Sequence, residues 1–452
     1  MSGPAQGADW RFLSALPGLA WPALPAGAGQ AVLAILQQLQ ATQWLPAERL
    51  RALQETQLAL LLAHARASAP YYRERIPGRP GEGLETVPVL TRRALQENFE
   101  ALQSARPPPE HGPTLESRTS GATGAPVRVV RTALTQLLWR ALTLRDHLWH
   151  RRDLAGKLAV IRQGIKPGTA RSWGPATEDV VETGPCAMLT PASSIAEQLD
   201  WLERERPEYL LTYPSSLAEL ARLSLQRGAR LRGLREARAI GEALAPETRQ
   251  LCRDAWGVPV SDFYSAQEAG YIALQCPRHE HYHVQSESVR VEILDDADRP
   301  CAPGQVGRVV VTDLHNFAMP LIRYELGDYA EAGEPCGCGR GLPVLRRILG
   351  RVRNTLVTAD GTRYWPSFGV RGVLEIAPVQ QAQFVQKSFD LIEARIVVSA
   401  PLTQEQEKRL GERFLSRLPP GFRIEFVYRD AIPRSAGGKF EDFYSEVSAG
   451  SR

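Results

Sequence analysis

The chain has 452 residues, with 54 Lys and Arg against 50 Asp and Glu, and a net charge of +4. That near balance, without a long run of like charge, argues against a protein that coats nucleic acid or lies on a membrane surface. Apolar residues make up 43% and charged residues 23%, six cysteines are too few for a disulfide scaffold, and no apolar run is long enough to span a bilayer.

The start, Met1 to Trp10, lacks the basic segment of a secretory signal, so a cytoplasmic enzyme is expected. Residues 1–30 are rich in Ala, Pro and Gly and read as a loosely ordered lead-in. Residues 31–70 read as helices, with Leu50, Leu53, Leu58, Leu61 and Leu62 near helical spacing and Pro70 as the stop. A short strand is expected at Val127–Arg131 and a helix from Thr135 to His150. Strands then alternate with helices: Lys157–Arg162, Ser194–Arg204, Tyr209–Thr212, Leu217–Gln226, Ala237–Ile240, Pro246–Trp256 and Val258–Tyr264. That alternation implies an α/β domain with a mostly parallel sheet. After about residue 283 the period becomes two, at Val289–Leu294 and Gly307–Thr312, which marks a β-rich subdomain. Residues 355–452 place strands Ala394–Val398 and Arg423–Val427 around a helix, Thr403–Leu415, as a small α+β unit.

Four segments carry chemistry. Thr119-Ser120-Gly121-Ala122-Thr123-Gly124-Ala125-Pro126 offers closely spaced N–H groups and hydroxyls that can cradle phosphate oxygens, although small residues before Pro also make ordinary turns. Asp262 to Glu268 follows an apolar strand, where open α/β sheets bind ligands, and Glu268 can join phosphate oxygens on Mg²⁺. Leu321 to Asp328 ends in Gly327-Asp328, read as a tight turn whose carboxylate can accept ribose hydroxyls; Gly350-Arg351 follows about twenty residues on. Lys439 stands behind Gly437-Gly438, on a loop that can bring a point charge to a phosphate or carboxylate. Only five of the 54 basic residues are lysine: Lys157, Lys166, Lys387, Lys408 and Lys439. A lysine in this chain therefore needs an explanation.

In this order and spacing the segments resemble the adenylate-forming superfamily, and more narrowly the phenylacetate–CoA ligase family. Gln57 to Ala65, Ala69 to Arg73, Tyr213 to Leu217, Ile240-Gly241-Glu242 and Cys336 through Arg351 add to the resemblance. It implies a large N-terminal adenylate-forming core over 31–350, with mostly parallel sheets plus the β-rich subdomain, and a small mobile C-terminal α+β domain over 351–452. It implies that ATP and Mg²⁺ activate a carboxylic acid, aromatic in many relatives, as an acyl-adenylate, and that coenzyme A then displaces AMP. Transfer to an amine or a carrier-protein thiol, AMP transfer to a hydroxyl, and a nucleotide-binding scaffold without turnover are the alternatives. By position, Lys439 would bridge carboxylate and ATP, and Glu268 would hold Mg²⁺. Ser120, Gly121, Thr123 and Gly124 would line the phosphates. Gly241, Glu242, Tyr264, Ser265, Asp328 and Arg351 would contact the nucleotide. Tyr213, Phe263 and Ala266 would wall the carboxylate pocket, with the Trp139–His150 helix. No nucleic acid or membrane partner is implied, and related enzymes are often homodimers.

The chain departs from that pattern at three places. Ala125 stands where a phosphate-loop lysine is usual, with Arg128 as the candidate replacement. Ser265, Ala266 and Gln267 replace the Gly-x-Thr before Glu268, and Arg353-Asn354 replace an Asp-Asp hinge. Cys276, with His279, His281 and His283, and the later Cys336-Gly-Cys338, read as zinc ligands. The resemblance selects Cys276, His283, Cys336 and Cys338 as a closed, structural Zn²⁺ site. Cys186, Cys252 and Cys301 are expected to pack.

Overall fold

The computed structural model describes residues 10–76, 83–118, 126–366, 368, 373–435 and 438–447. The first long helix, Gly27–Thr42, begins inside the segment read as a lead-in, and Ala47–Ser68 follows. Strand Arg128–Thr132 and helix Ala133–Trp149 lie within about two residues of their expected positions.

The α/β pattern forms a six-stranded sheet in the order Gly168–Ala170, Cys186–Leu189, Leu158–Ile161, Tyr209–Thr212, Glu236–Ala239, Val260–Ser261. Every neighbouring pair is parallel except the first. The intervening helices start and stop where local chemistry dictates. Ser194 and Glu197 form a reciprocal capping box on Ile195–Glu205. Pro214 and Pro246 open the next two helices, and Gly228 and Gly257 close them with φ of 63° and 72°. Ile161, Leu199, Leu210, Leu217, Ala237 and Cys252 form the core between sheet and helices.

The segment Val258–Tyr264, expected as one strand, is two. Val260–Ser261 ends the parallel sheet, and Phe263–Ala266 begins an antiparallel one. The chain changes sheets at buried Asp262, which accepts from the Tyr282 hydroxyl. The β-rich subdomain therefore starts some twenty residues earlier than the change of period suggests. Its seven strands run in the order Val289–Leu294, Val306–Asp313, Tyr324–Ala332, Val344–Arg351, Tyr282–Val284, Gly270–Gln275, Phe263–Ala266. Gly327-Asp328, expected on a tight turn, lies within Tyr324–Ala332 instead. The register against Val306–Asp313 slips there, and Gly327 has φ +77°. A bulge needing a positive φ mimics a turn in sequence. It also re-aims the carboxylate next to it.

The C-terminal segment builds its own apolar cluster. Strands Arg423–Tyr428, Leu391–Val398, Val379–Gln386 and Phe443–Ser445 form a sheet in that order, and helix Gln404–Leu415 is capped by Thr403. Phe368, Phe384, Phe414 and Phe443 meet at its centre, with Phe368 and Phe384 stacked at 3.6 Å between centroids. No helix among the described residues is long and apolar enough to cross a membrane.

Candidate active site

A cavity of about 1460 Å³ lies where the carboxyl ends of the parallel strands, the antiparallel sheet and the C-terminal loop meet. Lys439 enters it from that loop. Gly438 has φ +76°, and a Cβ there would fall 3.0 Å from Gln163 and 3.1 Å from Pro191, so glycine permits the close approach. The lysine side chain crosses the face of Gly241, where an added Cβ would lie 3.4 Å from Cε and 3.7 Å from Nζ. Burial lowers the Lys439 pKa and Arg351 lowers it further, against Asp328, Glu242 and Glu268.

Three ties hold the loop down. The Phe440 N–H donates to Glu242 Oε1 at 2.7 Å. Glu242 also accepts from the Ser215 N–H at 2.9 Å and hydroxyl at 3.1 Å. Arg434 donates to Ser215 Oγ at 2.8 Å and pairs with Glu219 at 3.4 Å. The Glu242 side chain, expected at the nucleotide, is thus engaged in docking. Arg353 pairs with Glu441, and Asn354 donates to the Phe443 carbonyl, so both residues tie the segment after Arg351 to the last strand and the residues before it.

Across the cavity, Tyr264 donates to Asp328 Oδ2 at 2.7 Å, and Arg351 stands 3.6 Å from Oδ1. The register explains this grouping, because Asp328 pairs directly with Arg351 between adjacent strands. Glu268 is buried and pairs loosely with Arg92, at 3.8 Å. Tyr213, Phe263, Tyr264, Ser265, Ala266, Gly241 and Glu268 all line the same space. Ser120, Gly121, Thr123 and Gly124 lie outside the described residues.

Arg128, the candidate replacement for the missing lysine, is not among the residues that line the cavity. It donates to Glu116 at 2.8 and 2.9 Å and lies over the Phe99 ring at 3.9 Å. Arg92, Arg118 and Arg131 line the cavity instead. Arg118 directly precedes the phosphate-loop segment, which is a usable sequence signal. Arg92 and Arg131 carry no motif and arrive through the fold.

The profile of AMP-binding enzymes matches residues 31–318, more than half of the chain. The chain belongs to the AMP-binding enzyme family. Residues 365–445 of this AMP-binding enzyme match the CapK C-terminal domain. It is 28% identical over 440 residues to the phenylacetate-coenzyme A ligase of Thermus thermophilus, covering 87% of this chain and 96% of that one. Among solved structures, 2-hydroxyisobutyryl-CoA ligase in its postadenylation state superposes with a TM-score of 0.69 at 20% identity, covering 90% and 91% of the two chains. The same ligase in its thioesterification state gives 0.55 at 21% identity, covering 90% and 92%. An anthranilate CoA ligase gives 0.53 at 15% identity, covering 72% of this chain and 65% of that one.

A second cluster of this AMP-binding enzyme lies on the antiparallel sheet. The ligand atoms of Cys276, His281, His283 and Cys336 all fall within 4.8 Å of one another. The Cys276 and Cys336 sulfurs are 3.9 Å apart, and Cys338 Sγ is 3.4 Å from His283 Nε2. His283 Nδ1 meets the Leu342 carbonyl at 3.4 Å, which sets the proton on Nδ1 and leaves Nε2 as the lone-pair atom. Burial holds His283 down at about 4, so the ring is neutral, the form that binds metals. The set implied by the resemblance has Cys338 where the structure brings in His281. Its Nε2 is buried without a hydrogen-bond partner among the described residues. Two thiols and two neutral imidazoles at this spacing fit a tetrahedral zinc site, with Cys338 as a fifth donor at its edge.

Proposed function

We propose that the protein is an AMP-forming carboxylate–CoA ligase. A carboxylate oxygen attacks the α-phosphorus of ATP and pyrophosphate leaves. The coenzyme A sulfur then attacks the acyl carbon and AMP leaves. The observation that carries this reading is the placement of Lys439 in the cavity that also holds Glu268, Asp328 and Arg351. Displacement at phosphorus is catalysed mainly by positioning and by charge neutralisation, and this cavity brings both signs of charge to one place. Lys439 bridges the substrate carboxylate and the phosphate. Glu268, loosely paired, supplies a carboxylate for Mg²⁺, which would neutralise charge on the leaving pyrophosphate. Asp328 accepts the ribose hydroxyls, Arg351 sits beside it, and the Tyr264 ring stacks on adenine. The Ser120, Gly121, Thr123 and Gly124 loop cradles the phosphates. We take the hinge at Gly350-Arg351, with a core over 31–350 and a moving domain over 351–452. Zn²⁺ at the Cys276, His281, His283 and Cys336 cluster is structural and leaves no open position for chemistry.

The deciding experiment is carboxylate-dependent exchange of pyrophosphate into ATP, followed by AMP release with and without coenzyme A. No exchange with any acid overturns the reading. Exchange with AMP release that ignores coenzyme A points to another acceptor.

Two substitutions probe the site. Asp328→Ala removes a charged acceptor, which contributes roughly 1.5–3 kcal/mol. KM for ATP should rise on the order of ten- to a hundred-fold, with KM for the acid nearly unchanged. Glu242→Ala releases the N–H of Phe440 and both donors of Ser215. Exchange should fall about ten-fold, while thioester formation from supplied acyl-adenylate stays near wild type. Equal loss in both half-reactions would refute a docking role.

A further inference from the structure

We propose that the acyl end of the cavity is built for a carboxylic acid whose far end carries a neutral oxygen acceptor, such as a hydroxyl, phenol or carbonyl. This rests on the acid-activation reading above and narrows its substrate class. Trp139, Thr143 and His147 recur at four-residue spacing on helix Ala133–Trp149, and all three line the cavity. Arg238, from strand Glu236–Ala239, lines it with Leu211, Phe263 and Tyr271.

Among its polar groups, the Thr143 hydroxyl is taken up by the Trp139 carbonyl and the Tyr271 hydroxyl, while His147 and Arg238 present donors. His147 Nδ1 lies 3.2 Å from Arg152 Nη1. A guanidinium only donates, so Nδ1 accepts and the ring proton sits on Nε2. Burial, with Arg238 and Arg152 beside it, keeps the ring neutral. Its Nε2–H has no hydrogen-bond partner among the described residues. Arg238 gives one hydrogen bond, from Nη2 to Asp146 Oδ2 at 2.8 Å. Its buried Nε has no partner among the described residues. That Nε is closed off from the cavity, so the donors a ligand can meet are the other N–H groups of Arg238 and the His147 Nε2–H.

Charge decides what kind of acceptor fits. Arg152 is held between Asp146 at 2.6 Å and Glu236 at 2.8 Å, and Arg238 shares Asp146. Two guanidiniums and two carboxylates cancel. A distal carboxylate would add an uncompensated buried charge beside this balanced set. A neutral oxygen can accept from Arg238 and His147 without changing the balance.

The test uses the full-length wild-type chain and acid-dependent pyrophosphate exchange with matched acids: phenylacetate and its para-hydroxy derivative, benzoate and its para-hydroxy derivative, and butyrate with its terminal-hydroxy derivative. The para-carboxy derivative of phenylacetate is the charged control. In at least one pair the oxygen-bearing acid should be preferred in kcat/KM by about ten-fold or more, and the charged control should be poor. Arg238→Met should shrink that preference. Because Arg238 also braces Asp146, His147→Phe is the second variant; it should lower kcat/KM for the oxygen-bearing acid more than for its plain partner and so shrink the preference. Equal or better use of the plain acid in every pair overturns the proposal while acid activation stands. An unchanged preference in both variants overturns it too. No exchange with any acid removes the parent reading and this one with it.

Discussion

Lys439→Ala is expected to lower carboxylate-dependent pyrophosphate exchange by at least about a hundred-fold, the usual effect of removing one preorganised group from a developing charge. Lys439 passes so near Gly241 that a Cβ added there would touch its Cε at 3.4 Å, so the glycine keeps its path clear. Arginine should not rescue it fully, because a planar guanidinium presents its charge and donors in a different geometry from a compact ammonium. Coenzyme A thioester formation from synthetic acyl-adenylate should stay within a few-fold of wild type, because the role proposed for Lys439 is confined to the first half-reaction. Exchange within a few-fold of wild type in Lys439→Ala would show that another cation bridges carboxylate and phosphate, and Arg131 would be the first to examine.

The second large effect concerns metal. Purified protein should carry about one zinc per chain, the number that one closed four-ligand site holds. Cys276→Ser and Cys336→Ser should lose it and destabilise the fold by several kcal/mol, a fall in Tm on the order of 10 °C. The cluster joins strand Tyr282–Val284, the residue just after Gly270–Gln275 and the Cys336–Cys338 turn, so its loss unpins the sheet that carries Tyr264. Cys301→Ala, outside the cluster, should keep the metal. His281→Ala should weaken retention, whereas Cys338→Ser separates a ligand from a neighbour. Metal-free protein whose Tm does not respond to added zinc would refute the site.

Much of this was legible in sequence because local rules and tertiary structure agree. The capping box at Ser194 and the glycines at 228 and 257 fix helix ends through nearest neighbours. Period two at Val289–Leu294 reports one buried face of the sheet. The failures share a cause, namely that the deciding contact is distant in sequence. The sheet change at Asp262 depends on the Tyr282 hydroxyl, twenty residues away. The bulge at Gly327 depends on its partner strand, and glycine followed by aspartate reads as a turn without it. Arg128 stood nearest the missing lysine in sequence, yet Glu116 claims it across a hairpin. In the active site, motif residues could be placed by order alone. Glu242, His281, Arg92 and Arg238 could not, since their roles depend on which partner the fold brings.

The scarcity of lysine makes the chain a convenient target for chemical labelling. Lys157 and Lys387 pair with Glu205 and Glu446, and Lys166 and Lys408 are exposed. Only Lys439 combines a lowered pKa with a place in the large cavity. At mildly alkaline pH it holds more free amine than an ordinary lysine. An amine-reactive probe built on an adenosine scaffold would therefore meet a single lysine in the large cavity, and the other four lie outside it. Mass spectrometry of a single modified peptide would then report whether the loop is in or out.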